Sequence, residues 1–204
     1  MKQLTFILIA ATVALMGCNL TDSSNAPVAG DQSQSLSASF GNVGLPGRAT
    51  VLRLLGTGTA YDGFVPDIDG DGVDDPALCF DVDLLDASGH KIGTATDCLS
   101  NIEAVDGGLA LVGTTIFNLP NGSFTTRGNT TVQPITTTAA TPVTHTTGAI
   151  PMDGDNGVIA GTGVYEGFRA QARLSGAVNL SKLDSDGEIS FDCLFAIIPL
   201  KGSM

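Results

Sequence analysis

The sequence predicts an all-β domain. Three observations predict it. Glycine is abundant (26 residues), tryptophan is absent, and threonine, valine and glycine dominate long stretches, while charged residues make up only 15%. β-Branched residues suit the pleated, half-buried surface of a strand, and glycines suit the tight turns between short strands. Second, Phe168, Ala170, Ala172 and Leu174 alternate with Arg169, Gln171, Arg173 and Ser175. That period of two gives one apolar face and one polar face. Third, turn residues recur between apolar runs, as in Asp86-Ala87-Ser88-Gly89 and Leu119-Pro120-Asn121-Gly122. No helical stripe is legible after residue 20.

The chain opens with Lys2, then runs apolar from Leu4 to Leu15, broken only by Thr5 and Thr12. This matches the core of a signal peptide and is too short to span a bilayer, which takes roughly 20 apolar residues. Leu15-Met16-Gly17-Cys18 follows and resembles a bacterial lipobox, in which a small residue precedes a cysteine that becomes acylated. The expectation is an exported lipoprotein cut before Cys18 and held to a membrane of the bacterial cell envelope through lipid on that cysteine. Two or more acyl chains suffice for stable anchoring. Residue 19 is Asn, not the Asp that resembles an inner-membrane retention signal, so the outer membrane is the favoured destination. Residues 1–17 read as the signal peptide and 18–39, rich in Ser, Asp, Gln and Asn, as a flexible tether. Residues 40–204 read as the domain, long enough for one real core.

Formal net charge is −12. Such a surface repels nucleic acid and anionic lipid head groups and attracts cations. Phosphate-binding loops, a GxSxG serine motif and a Ser-His-Asp set are all missing from the sequence. Only two histidines occur, His90 and His145, and no CxxC pair, which argues against a zinc centre. His145 reads as exposed in a loose loop.

Taken in order, the first strand is expected over Ala49–Leu55, with Gly56–Gly63 as turn material. Asp67-Ile68-Asp69-Gly70-Asp71-Gly72-Val73-Asp74-Asp75 then fits D-x-D-x-D-G-x-x-D. Carboxylates at positions 1, 3 and 5 converge when a glycine at 6 allows the sharp turn, position 7 offers a backbone oxygen, and calcium prefers six to eight such oxygens. The expected structural calcium ligands are therefore Asp67, Asp69, Asp71, Val73 and Asp75. Position 12 is Leu78 rather than a bidentate glutamate, and no helices flank the loop. A solvated acidic turn is the competing reading. Asp153–Gly157 and Asp184–Gly187 are shorter echoes that read as plain turns.

Leu78 to Cys98 reads as a hairpin, with Phe80, Val82 and Leu84 alternating against Asp81 and Asp83. The midpoint between Cys79 and Cys98 falls between Ser88 and Gly89, inside the turn, so the two cysteines oppose each other across the strands. Opposed positions lie near disulfide range, and export permits the bond. A Cys79–Cys98 disulfide is expected, leaving Cys193 as a buried thiol. Pairing of Cys193 with either partner, or three free thiols, is the alternative. A second hairpin spans Leu109–Asn118 and Ser123–Val132. Thr130–Thr147 is dense in threonine and reads as a loop or frayed edge strand. Ile189–Leu200 reads as a long closing strand, apolar on both faces toward its end, which suits a central or barrel-closing position.

Residues 157–180, GVIAGTGVYEGFRAQARLSGAVNL, resemble the glycine-turn signature of the allene oxide cyclase and dirigent proteins. Gly161, Thr162, Gly163 and Tyr165 fill the turn, Arg169 stands at the arginine position, and Ala160 replaces the first glycine. Residues 114–132, TTIFNLPNGSFTTRGNTTV, look like the dirigent hairpin with its Asn-Gly-Ser turn, and residues 93–97, GTATD, lie where such chains have another Gly-containing strand. The resemblance spans about residues 78–198 and implies an eight-stranded antiparallel barrel with an apolar pocket. Fold transfers along such a resemblance more readily than activity.

Three functions follow as expectations. The first is a barrel that binds a small hydrophobic ligand outside the cytoplasm. The second is a cyclase, isomerase or dirigent-type enzyme that steers ring closure or coupling of a reactive intermediate, with Arg169, Arg173 and Tyr165 as candidate polar groups in the pocket. Period-two logic equally allows the Arg169/Arg173 face to meet solvent. The third is a structural or adhesive surface protein stiffened by calcium.

Overall fold

The computed structural model describes residues 47–105, 108–135, 144–151 and 157–202. The expected signal peptide, Cys18 and the tether lie outside the described residues, as does most of the Asp153–Gly157 echo. All described residues belong to one compact unit, Ser37–Met204.

Ten strands are described: β1 (Thr50–Thr59), β2 (Tyr61–Val65), β3 (Asp75–Leu85), β4 (Lys91–Val105), β5 (Gly108–Leu119), β6 (Gly122–Pro134), β7 (Thr144–Pro151), β8 (Val158–Gly161), β9 (Ala170–Lys182) and β10 (Glu188–Pro199). Every pairing is antiparallel. Neighbours run β1-β10-β9-β7-β6-β5-β4-β3, and β1 pairs β3 in turn through Arg53–Leu85, Leu54–Leu84 and Leu55–Asp83. The sheet of eight strands thus curls round until its first and last members meet. β2 continues beyond β1 along β3, and β8 lies beside the first residues of β6, where β7 does not reach.

Alternation sorts the side chains. Leu52, Leu54, Phe80, Val82, Leu84, Ala95, Phe117, Phe124, Phe191, Phe195 and Ile197 are buried in the main core. Their sequence neighbours point outward, among them Arg53 and Asp192, whose side chains pair at 2.8 Å across β1 and β10. One part of the interior is solid with aromatic rings. Phe117 stacks on Phe124 at 4.7 Å between centroids and meets Phe195 edge-on at 5.1 Å. Tyr165 and Phe168 close this cluster, at 5.3 and 5.8 Å from Phe124.

Three sequence expectations change. Gly56–Gly63 is strand rather than turn: β1 runs on to Thr59 and β2 starts at Tyr61. Gly56 and Gly58 lie within β1 and Gly63 within β2. A Cβ at Gly58 would stand 2.9 Å from Cβ of Phe80, so the bare backbone lets β1 lie close over β3. Of the expected loop or edge over Thr130–Thr147, the described residues are largely strand: β6 continues to Pro134, and β7, from Thr144, is central, between β6 and β9, while residues 136–143 lie outside the described residues. Threonine's branched Cβ favours strand wherever two neighbours are available. His145 accordingly sits on β7, at the register position between Pro134 and Val178. The closing-strand expectation agrees with β10, which lies between β1 and β9.

The turns behave as their residues dictate. Pro120-Asn121 joins β5 to β6, with Leu119 paired to Gly122. Asp184–Gly187 is one helical turn, Leu183–Asp186, ended by Gly187 in the left-handed region at φ +67°.

Candidate functional site

The polar and hollow part of the barrel adjoins the aromatic cluster, with Phe195 common to both. There Leu99, Gly113 and Gly128 share one interior row across β4, β5 and β6, and Gly176 on β9 pairs with Cys193 on β10. Gly113 and Gly128 thus leave two positions of the lining without a side chain. A cavity of about 140 Å³ results, lined chiefly by leucines together with Val132, Val178, Ile189, Phe191 and Phe195. Gly113 does more than leave space: its missing Cβ makes room for the Thr130 hydroxyl, which such a carbon would meet at 2.8 Å.

One charged group faces this apolar lining from within. Asp97 on β4 pairs with Thr115 on β5, which pairs with Thr126 on β6, so a polar row crosses the cavity wall. Asp97 is only 8% exposed. The Thr115 hydroxyl donates to one of its oxygens at 2.6 Å. Its other oxygen has no hydrogen-bond partner among the described residues. Burial pushes its carboxyl up to about 6, against the smaller opposing effect of the Thr115 bond. Across the cavity lies Cys193, whose thiol is pushed up to about 12, first by burial and then by the nearby Asp97 charge.

The expected pocket residues lie elsewhere. Arg169 and Arg173 are exposed, so the face left open by alternation is the solvent face. The reason is parity: Phe168, Ala170 and Ala172 are buried, and their sequence neighbours must point outward. Tyr165 is buried, yet it packs in the aromatic cluster and does not line the cavity. Asp97 was missed, although Ala95 and Leu99, two residues to either side, carry the signal that places it inward.

Outside the barrel wall, a second small cluster joins Val65, Ala77, Cys79 and Cys98, with Ile68 packed on it. Cys79 and Cys98 are bonded, with an S–S distance of 2.08 Å, and are paired in register as the hairpin's symmetry requires. Cys193 is a buried free thiol. The next residues in that outer row are Thr114 and Arg127. The Arg127 guanidinium donates to the Asp67 carbonyl at 2.8 Å and to the Pro66 carbonyl, which fastens the acidic loop across the wall.

Within the loop, Asp67 accepts from Gly70 N–H at 2.6 Å and from Gly72 N–H at 2.8 Å, Asp69 from Asp71 N–H, and Asp71 from Val73 N–H. The N–H groups of Gly72 and Gly70 hold the Asp67 carboxyl below the usual carboxylate range. Gly70 and Gly72 adopt φ of +86° and +85°, which only glycine takes freely. Oxygens of Asp67, Asp69 and Asp71 come within 4.8 Å of one another. Such a donor set is chemically suited to a hard cation. Asp75 is not brought to the triad: its carboxylate accepts from Ile68 N–H and closes the base of the loop instead. Val73 is exposed on the loop.

Neither a family model nor a curated protein matches this chain.

Among the described residues, no helix is long and apolar enough to cross a membrane, which says nothing of strands.

Proposed function

We propose that this protein is an exported, lipid-anchored barrel that binds a small hydrophobic ligand. The observation that carries the reading is the apolar cavity of about 140 Å³ inside the sheet. An engineered cavity of about 150 Å³ holds benzene, so the space suits roughly one ring or a short branched chain. Barrels of about eight strands have an interior of the size that either fills with side chains or takes one small ligand. Here the aromatic cluster fills one part and the interior glycines open the other. The similarity of residues 78–198 to the allene oxide cyclase and dirigent proteins supports the same reading.

A second reading is favoured by Asp97. A cyclase, isomerase or dirigent-type enzyme steers a reactive intermediate largely by enclosure, and a buried carboxyl near neutrality is suited to moving one proton. In that case Asp97, rather than Arg169, Arg173 or Tyr165, would touch the intermediate.

Calcium belongs to the proposal as a structural ion on Asp67, Asp69 and Asp71, with further oxygens from the loop or from water. The sharp turn and its hydrogen bonds already bring three negative oxygens together, and a divalent cation offsets their repulsion.

Native mass spectrometry of the full exported protein, with and without a calcium chelator, tests both parts. The expected spectrum carries an organic adduct that survives chelation and a calcium adduct that does not. At tenfold excess over its dissociation constant, calcium is expected to stabilise the fold by about 1.4 kcal/mol. A bare polypeptide mass in both conditions counts against ligand and ion alike. For the anchor, metabolic labelling with a radioactive fatty acid is expected to mark the wild-type protein and not Cys18→Ala. Equal labelling of both would end the lipoprotein reading.

A further inference from the structure

The ligand's head group can be inferred from Asp97, on the reading that the cavity binds a small apolar molecule. An acceptor buried without a full set of donors is costly, and native proteins seldom leave one unexplained. Asp97 is more than nine-tenths buried, faces an apolar lining, and takes a single hydrogen bond, from Thr115. Its second oxygen still needs a donor. The strands flanking it offer none: Thr115 is committed to the first oxygen, and the register neighbour on β3 is Phe80.

We propose that the cavity selects a small apolar alcohol, whose hydroxyl donates to the second carboxylate oxygen of Asp97. The alternatives are disfavoured on chemical grounds. An ether or ketone presents only lone pairs to a group that is itself an acceptor. A carboxylate brings a like charge into a low-dielectric space. An ammonium offers donors but must shed its hydration shell to enter, a large cost for one ion pair. A neutral hydroxyl pays far less and still forms a charge-assisted bond, the stronger kind. The volume restricts the body of the ligand to about one ring, which makes benzyl alcohol a fitting probe.

The test is an NMR titration of the full exported protein at pH 8 with benzyl alcohol, benzyl methyl ether, benzylamine, benzoate and toluene. Benzyl alcohol and its methyl ether differ in the donor and are otherwise close in size and polarity. The alcohol is expected to bind at least about tenfold more tightly than the ether, in keeping with a hydrogen bond to a charged group. Asp97→Ala is expected to shrink that ratio to about threefold or less. Equal affinity for alcohol and ether, or tighter binding of benzylamine than of the alcohol, overturns the proposal. Toluene binding in that event leaves the ligand-binding reading standing, whereas failure of all five probes removes both.

Should Asp97→Ala fail to fold, the wild-type protein supplies a second measurement. The alcohol-to-ether ratio is expected to fall at least threefold between pH 8 and pH 4.5, because a protonated Asp97 accepts more weakly. Among the described residues lining the cavity, Cys193 on β10 carries the other titratable side chain on the inner face, while Arg127 on β6 sends its guanidinium to the outer face, where it donates to the Asp67 carbonyl. The Cys193 thiol, pushed up to about 12, stays protonated throughout, and a guanidinium stays charged. An unchanged ratio across that interval overturns the proposal.

Discussion

Replacing Cys79 and Cys98 together by alanine is expected to cost about 3 kcal/mol of stability, read as a lower urea midpoint under oxidising conditions. The bond links residues 19 apart, and closing a loop of that size removes roughly this much freedom from the unfolded chain. Hairpin pairing does not replace it, since the two strands are free to separate in the unfolded ensemble. The effect has a local component as well. Both cysteines belong to the cluster that seats Ile68 and Val65 against the wall, at the base of the acidic loop. Faster proteolysis between Pro66 and Pro76 should therefore accompany the global loss. If the double variant unfolds at the wild-type urea concentration, the crosslink is not limiting the unfolded state, and the account fails.

The Asp97→Asn variant is expected to be more stable than the wild type at pH 8, by up to about 3 kcal/mol, and nearly equal to it at pH 4. Burial raises this carboxyl from 3.8 to about 6, so the folded protein holds its proton more tightly than the unfolded chain. A raised carboxyl contributes stability that is fully present below about 3.8 and is lost as pH climbs through about 6. Above that, the folded state must carry an ionised group in an apolar cavity. The difference corresponds to about 3 kcal/mol at 1.36 kcal/mol per pH unit. Asparagine accepts the Thr115 hydroxyl as aspartate does, without the charge. Urea melts of both proteins at pH 4, 6 and 8 give the comparison. A gap that does not vary with pH, or a variant weaker than wild type at pH 8, contradicts the assignment of desolvation as the dominant effect. The same substitution bears on function: a stabilised variant that loses alcohol selectivity would show a residue kept at a cost in stability.

Legibility in the sequence tracked how local the cause was. The Cys79–Cys98 pairing could be read because a hairpin's register follows from its own turn, and Asp86–Gly89 fixes that turn's position. The acidic loop could be read because glycines at 70 and 72 permit the backbone path that gathers Asp67, Asp69 and Asp71. Asp75 went elsewhere because β3 begins at that residue and turns its carboxylate toward Ile68, a constraint that a loop motif does not contain. Threonine-rich residues 144–147 looked loose because one of the two strands that flank them, β9, lies well along the chain. Their partners are Gln133 and its neighbours on one side and Ala177 and its neighbours on the other.

The sequence by itself determined the all-β class, the alternation that separates inside from outside, the turns at Asp86–Gly89 and Pro120-Asn121, the disulfide and the acidic loop. Each depends on residues a few positions apart, where backbone preference and side-chain period act directly. Only the tertiary structure decided that β1 meets β3, that Gly113 and Gly128 fall on the inner face around a common space, and that Asp97 looks into it. Those facts depend on the whole sheet curling until β1 meets both β3 and the distant β10, and no local preference encodes the curvature that brings them together.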